Sequence, residues 1–447
     1  MPHVHAFDDD ALGEMDAVGI AEAIRCGTVS RSEVTDAAIT RTEKVNPALN
    51  GLAYEAFDRA RHRARHPYGG FFDGVPTFVK DNVDVAGMPT MHGTDAWRPR
   101  PAAVDGEFGR VFLATGLNPL GKSRMPEFGF SASAEHPRDG AVRNPWHTDH
   151  TPGASSSGAA AFVASGAVPI AHANDGGGSI RIPAACTGLV GLKPTRGRLP
   201  LERQMQKMPI RLGVNGVLTR SVRDTAAFLR EMERAWPARA LPAVGDVRDP
   251  GRRRLRVAVF TRSLVRECAP EVHGATLKVA AQLEALGHRV EHVDRLPVRA
   301  GFVDDFLHYW ALLAFAVVRS GHREISRDFD RTRLDSLTLG LDRRAAANLH
   351  RLPMAMARLA STRRSTNQLF RTFDVTLMPT VAHEPPRIGH LDPTADYEQI
   401  MSRLIDWVAF TPLQNATGEP AISLPLAQSE SGMPVGMMLG AAIGQER

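Results

Sequence analysis

Residues 151–194 read TPGASSSGAAAFVASGAVPIAHANDGGGSIRIPAACTGLVGLKP, and the meaning of this block decides how the rest of the chain is read. Two turns rich in glycine and serine bracket a helix of small residues, Gly158–Ser165. The first turn holds Ser155, Ser156 and Ser157, and the second, Asp175–Ser179, presents one serine behind three glycines. Successive glycines let backbone amides converge on one point without interference from Cβ atoms, which makes a nest for an anion. If Ser179 attacks a carbonyl, the amides of Gly176, Gly177, Gly178 and Ser179 are placed to hold the developing oxyanion. Donors of this kind contribute about 3–4 kcal/mol each to a transition state. Three glycines by themselves also suit a plain tight loop, so the block needs a base before it becomes a site.

The usual base, a histidine oriented by an acid, has no signature here. Neither 153–157 nor 177–181 spells a GxSxG elbow. His172 is close to the turn in sequence, where a structural role is the simpler reading. Lysine is the remaining candidate. Only six of the 54 basic residues are lysines, and where arginine is the default cation a lysine is suited to chemistry that needs a proton lost. Lys80 stands in FDGVPTFVKDNVD, residues 72–84, where Val75, Phe78, Val79 and Val83 form a strand-like apolar run. A lysine at a strand edge snorkels to water. Apolar flanks on both sides would instead desolvate its ammonium and lower its pKa. A second hydroxyl, such as that of Ser155, would relay a proton between that amine and Ser179.

The bulk properties exclude several other classes. A net charge of +5 raises the question of nucleic acid, but the basic residues are scattered apart from runs at 61–66 and 252–256. Neither run is interleaved with aromatics, so both read as solvated faces. Gly116–Ser123, GLNPLGKS, matches the phosphate-loop pattern GxxxxGK[ST]. Pro119 removes an amide from it and Arg124-Met125-Pro126 obstructs the helix that should follow, so a nucleotide-binding protein or a non-catalytic scaffold is the weaker alternative. Cys26, Cys186 and Cys268 are far apart with no CxxC pair, which argues against a disulfide framework or a metal site and for a reducing cytoplasm. The acidic amino terminus is wrong for a signal peptide, and the longest apolar run, Trp310–Val318, is too short to span a bilayer. The expectation is a cytoplasmic enzyme with no metal and no cofactor, acting on a small molecule and with neither nucleic acid nor membrane as a partner. A homodimer is left open.

Hydrophobic periodicity sets out the remaining elements. Asp16–Arg25 reads as a short amphipathic helix stopped by Gly27, and Ser30–Glu33 as a capping box opening a second helix that ends near Val45, before Asn46-Pro47. A helix over Val222–Arg234 follows the cap at Thr219–Ser221, and residues 237–254 read as an exposed connection. Strand Leu255–Phe260, helix Glu271–Leu286 and strand His288–Val293 form a βαβ-like unit without a glycine-rich loop, hence an extension of a sheet. Residues 302–373 are helical in pattern and rich in arginine and leucine. Strand 374–380, loop and strand over 410–426, and a last strand at 436–439 complete the chain.

The motifs together resemble the amidase signature family. The matching stretches, in the family's order, are GVPTFVKDNVDVAGMPTMHGT at 74–94, GKSRMPEFG at 121–129, the 151–194 block, GVLTRSVRD at 216–224, DVTLMPT at 374–380 and FTPLQNATGEPAISLPLA at 410–427. The resemblance implies an α/β fold with a central twisted mixed β-sheet surrounded by helices. It implies a single amidase domain over 1–447, with a helical hairpin at 16–45, a catalytic signature region at 72–194 and a largely helical region at 302–373. It also implies a Ser–cis-Ser–Lys triad. Ser179 would be the nucleophile, Lys80 the base, and Ser155, following a cis peptide bond after Ala154, the bridging hydroxyl. The reaction would be hydrolysis of a carboxylic amide through an acyl-enzyme.

The chain departs from the family pattern in places. GASSSGA stands where GGSSGGS is usual, Arg124 where a small or amide side chain is usual, and the chain stops at Arg447 where relatives continue into a further helix. The 176–200 region looks more like free-standing amidases, including those acting on nylon oligomers, than like the glutamine-hydrolysing A subunit of tRNA-dependent amidotransferases. That subunit has a DTGGS loop where this chain has Asp175–Ser179, and it is the alternative within the family. Leu201–Leu212, with Met205 and Met208, is expected to line the substrate pocket.

Overall fold

The computed structural model describes residues 3–447, apart from the side chain of Gln204. Its centre is an eight-stranded sheet in the spatial order Arg289–His292, Arg256–Val259, Val375–Pro379, Pro434–Ala441, Ala421–Gln428, Val190–Lys193, Val214–Thr219, Ile170–Asp175. The first three strands run parallel to one another and the remaining pairs are antiparallel, so the sheet is mixed. Helices pack around it, as the family resemblance implies. The unit at 255–293 does extend this sheet, with its helix at Pro270–Ala285 and Gly287 in the left-handed region just beyond.

A second, three-stranded sheet has the order Leu52–Glu55, Asn118–Ser123, Pro76–Lys80. Every residue of Pro76–Lys80 and of Asn118–Ser123 is buried. The phosphate-loop match therefore lies inside a buried strand. Lys122 points its Nζ at the Val83 carbonyl and at Thr90 Oγ1 and not toward a ligand, so the nucleotide-binding reading has no loop to stand on. The Pro76–Lys80 strand is tied to Ile170–Asp175 of the large sheet through side chains. Thr77 Oγ1 donates to the Ile170 carbonyl at 2.9 Å, and the Lys80 amide donates to His172 Nδ1 at 3.2 Å. These two bonds hold the Lys80 strand against residues 170–172 of the 151–194 block.

Between the two sheets runs the small-residue helix, Ser157–Ala164, every residue of which is buried. Its small side chains are a packing requirement: a Cβ on Gly158 would lie 2.3 Å from the Gly51 carbonyl oxygen and 2.6 Å from the Arg124 amide. Among the described residues no helix is long and apolar enough to cross a membrane.

The amino-terminal hairpin forms as expected, with Asp16 capping Ala17–Arg25 and both halves of the Ser30/Glu33 capping box in place. Its second helix runs on through Pro47 to Leu49 instead of stopping at Val45. Val45 and Leu49, one helical turn apart, are both buried, and that shared face outweighs the hydrogen bond the proline removes. A second correction concerns 410–426, read as loop and strand. Pro412–Thr417 is a helix with the proline in its first turn, where a missing amide costs nothing.

Candidate active site

Lys80 is the last residue of its strand and fully buried. Its Nζ lies 2.7 Å from Ser155 Oγ, 3.1 Å from Ser156 Oγ and 2.7 Å from Asn174 Oδ1. Burial draws the amine down to about 7, against a smaller upward pull from the Asp175 carboxylate. An amine at that value is half neutral near pH 7 and accepts a proton there. Ser155 follows a cis peptide bond from Ala154, as the resemblance implies.

Ser179 sits at the start of a turn leading into the helix Arg181–Thr187, and it is the most exposed of the three predicted residues at 8 %. Two cavities meet at it. One is a narrow pocket with about 90 Å³ of open space, the other a cleft of about 800 Å³ that also reaches Ser155, Asn174 and Asn82. The structure thus sets Ser155, Gly176, Gly177 and Ser179 around one opening, with Lys80 buried behind Ser155.

The turn itself is held from below. Asp175, at the end of its strand, is fully buried and accepts from the Gly178 amide at 2.7 Å and the Ile180 amide at 3.1 Å. Arg181, also fully buried, clamps the same carboxylate through Nε at 2.9 Å and a terminal nitrogen at 3.0 Å. Burial alone would raise the Asp175 pKa, but Arg181 and the Asn415 amide hold it well below the usual carboxylate range. Gln414 and Asn415, on the short helix at 412–417, together with Met438 Sδ take the remaining Arg181 donors.

This anchoring corrects one expectation. The Gly178 amide is committed to Asp175 and does not point at the cleft. The amides of Gly176, Gly177 and Ser179 have no intramolecular partner among the described residues, which leaves three of the four as donors. Gly178 is a glycine for another reason. Its φ is +137°, and a Cβ there would meet Thr411 Oγ1 at 2.3 Å.

His172 is a core residue, with Nδ1 accepting from Lys80, Nε2 near Asn215 Oδ1 and Phe108 packed on its ring at 4.6 Å. Burial lowers its pKa to about 3, so it stays neutral. Met205 and Met208 line the larger cleft, as do Leu201 and Leu212. Arg124 is directed to the Leu52 carbonyl and Asp139 and lines neither cavity.

Sequence reasoning missed several members of the site. Ser156 stands in the triple serine, and its Oγ donates to the Ser179 carbonyl at 2.6 Å while also touching Lys80. Asn174 accepts from Lys80 and donates to Asn82 at 2.9 Å. The opposite charges of Asp175 and Arg181 bracketing the glycine turn were a visible signal for the clamp. Asn82 carries none.

The chain matches the amidase family model over residues 33–447. It belongs to the amidase signature family. It is 66 % identical over its whole length to AmiC of Mycobacterium leprae, covering 95 % of that protein, to which an amidase activity has been assigned provisionally. It is 34 % identical to the 6-aminohexanoate-cyclic-dimer hydrolase of Paenarthrobacter ureafaciens, with 96 % of this chain and 92 % of that one covered. A solved structure of 6-aminohexanoate cyclic dimer hydrolase superposes with a TM-score of 0.85 over 98 % of this chain and 95 % of that one, at 30 % identity. This amidase-family chain is accordingly an amidohydrolase.

Proposed function

We propose that this amidase hydrolyses a carboxylic acid amide to acid plus ammonia or amine through an acyl-enzyme on Ser179, with Ser155 as the bridging hydroxyl and Lys80 as the base. One observation carries the reading: the Lys80 amine, drawn to about 7 by burial, lies 2.7 Å from Ser155 Oγ beside the turn that presents Ser179. Neutral Lys80 takes the Ser155 proton as Ser155 takes that of Ser179, and the Ser179 oxygen bonds to the substrate carbonyl carbon. Charge develops on the carbonyl oxygen, toward which the free amides of Gly176, Gly177 and Ser179 are available. The proton held on Lys80 returns through Ser155 to the amine nitrogen as the C–N bond breaks. Water then attacks the ester, using the same relay in the same sense, and the acid leaves with Ser179 restored.

The relatives support an amide as substrate, and the named 6-aminohexanoate cyclic dimer is one concrete candidate to assay. The test is hydrolysis of simple anilides by the wild type, Ser179→Ala and Lys80→Ala, with intact-mass detection of an acylated Ser179. Loss of at least 1,000-fold in each variant is the expected result. Full activity in either variant rejects the assignment.

A further inference from the structure

The two cavities that meet at Ser179 differ in chemistry, and the proton relay says which half of the substrate each takes. The departing amine must receive its proton from Ser155, so the amine half lies on the side of Ser179 where Ser155 is exposed. That side is the larger cleft, which Ser155, Asn174 and Asn82 line. The narrow pocket also reaches Ser179 and Gly177 but does not include Ser155, and so falls to the acyl half.

The narrow pocket is lined by Phe130, Phe306, Leu307, Trp310, Val408 and Phe410 among other apolar residues, and no Asp, Glu, Lys, Arg or His is among its walls. Its aromatic faces are held by one another: Trp310 packs edge-on to Phe130 at 5.8 Å and stacks on Phe306 at 5.8 Å. Trp310 lines both cavities and lies over the glycine turn, within 3.4 Å of where a Gly176 Cβ would be, so it stands at their junction beside Ser179. A charge carried into such walls would lose its water and find no partner, whereas each methylene placed there is removed from water at a gain. The larger cleft is different. Asp84, Glu202 and Glu324 share it with Arg98, Arg100, Lys207 and Arg211, so both signs of charge find partners there.

From this contrast, and resting on the acyl-enzyme reading above, we infer that the substrate class is an N-acyl amine whose acyl half is an uncharged apolar chain or ring and whose amine half is polar or charged. Selectivity is exerted on the acyl side, by walls that exclude charge, while the amine side is permissive.

The experiment measures kcat/KM for 4-nitroanilides of acetic, butanoic, hexanoic and octanoic acid, together with the 6-aminohexanoic and adipic anilides. The expected profile rises by about fourfold per added methylene until the pocket is full, and both charged acyl groups fall at least 100-fold below hexanoyl. The amine half is probed with the hexanoyl amides of aniline and of 4-aminobenzoate, expected within tenfold of each other. A profile flat in chain length, a charged acyl group within threefold of hexanoyl, or a penalty for carboxylate on the amine half as large as on the acyl half would each overturn the inference. Val408→Asp puts a carboxylate into the acyl pocket at a half-buried position. It is expected to raise the 6-aminohexanoyl to hexanoyl ratio at least tenfold, and an unchanged ratio also counts against the inference. That ratio does not depend on how much of the variant folds. Anilide hydrolysis that disappears in Ser179→Ala but shows no acyl preference rejects only this inference, while hydrolysis that survives in Ser179→Ala rejects the reading beneath it.

Discussion

Lys80 and Lys193 each end a strand, each is fully buried, and burial draws both amines down to about 7. They differ in what their Nζ atoms reach. Lys80 touches two serine hydroxyls beside an open cleft, whereas Lys193 has one hydrogen bond among the described residues, to the Pro194 carbonyl at 3.0 Å. A carbonyl has no proton to give, so Lys193 has an amine of the right basicity and nothing to deprotonate. Lys122, the third buried lysine, donates to the Val83 carbonyl and meets one hydroxyl, Thr90 Oγ1 at 3.2 Å, but that hydroxyl gives its own proton to Asp84 at 2.7 Å. A lowered lysine pKa reports burial, and only a neighbouring hydroxyl whose proton is not already given to a carboxylate suits it to act as a base.

The sharpest way to break this comparison is to remove each amine in turn. Lys80→Met should lower kcat/KM by at least 1,000-fold, and Lys193→Met should leave it within about threefold, in an anilide assay of the two purified variants. Equal losses would show that the Pro194 carbonyl is not what separates them.

Asp175→Asn attacks the frame that both lysines sense electrostatically. It leaves Arg181 buried without its counter-charge, and chemical denaturation should register a loss of about 3–5 kcal/mol. Activity should fall with it, because the carboxylate also fixes the Gly178 and Ile180 amides.

Ser156→Ala removes the second hydroxyl from Lys80 and the bond to the Ser179 carbonyl. A fall of about tenfold in kcat with KM little changed is expected, since the Ser155 contact remains. A thermal melt separates this from unfolding.

The pH profile sharpens the contrast further. The relay needs neutral Lys80, so kcat/KM should fall tenfold per unit below about pH 7 and level off above it. His172, at about 3, and Asp175, lower than the usual carboxylate range, do not titrate in that window. Lys193→Met should keep the same limb. The smallest expected effect is on stability. Both lysines lose their protons at lower pH when folded than when unfolded, so between about 7 and the ordinary lysine value the unfolded chain binds more protons and stability rises with pH. Each Lys→Met variant should flatten that rise by a similar amount, measured by denaturant midpoints at pH 7 and 9.

Much of the fold was legible in the chain because it rests on local signals. Capping residues, glycine stops and hydrophobic periods placed the helices at 17–25, 222–235 and 270–285 within about a residue or two. The two errors, at Pro47 and at 412–417, are places where packing or a proline in the first helical turn overrode a breaker signal. At the site, Lys80 could be singled out because its flanks are apolar and lysine is scarce, and Ser155 and Ser179 because glycine and serine cluster around them. Asn174 and Asn82 could not, since nothing local distinguishes an asparagine that meets the Lys80 amine from another strand, or the one that accepts from it in turn.

By itself, then, the sequence singled out as candidates the hydroxyls, one lysine suited to serve them and the glycine turn, because composition and spacing carry those choices. Only the tertiary structure decided which buried lysine meets the hydroxyls of the triple serine, that Gly178's amide belongs to Asp175, and that one wall of the opening is free of charge. The first and last of those depend on residues tens to hundreds of positions apart, joined by the packing of the sheets and helices, and the second on the exact turn geometry over three residues, which the spacing alone does not encode.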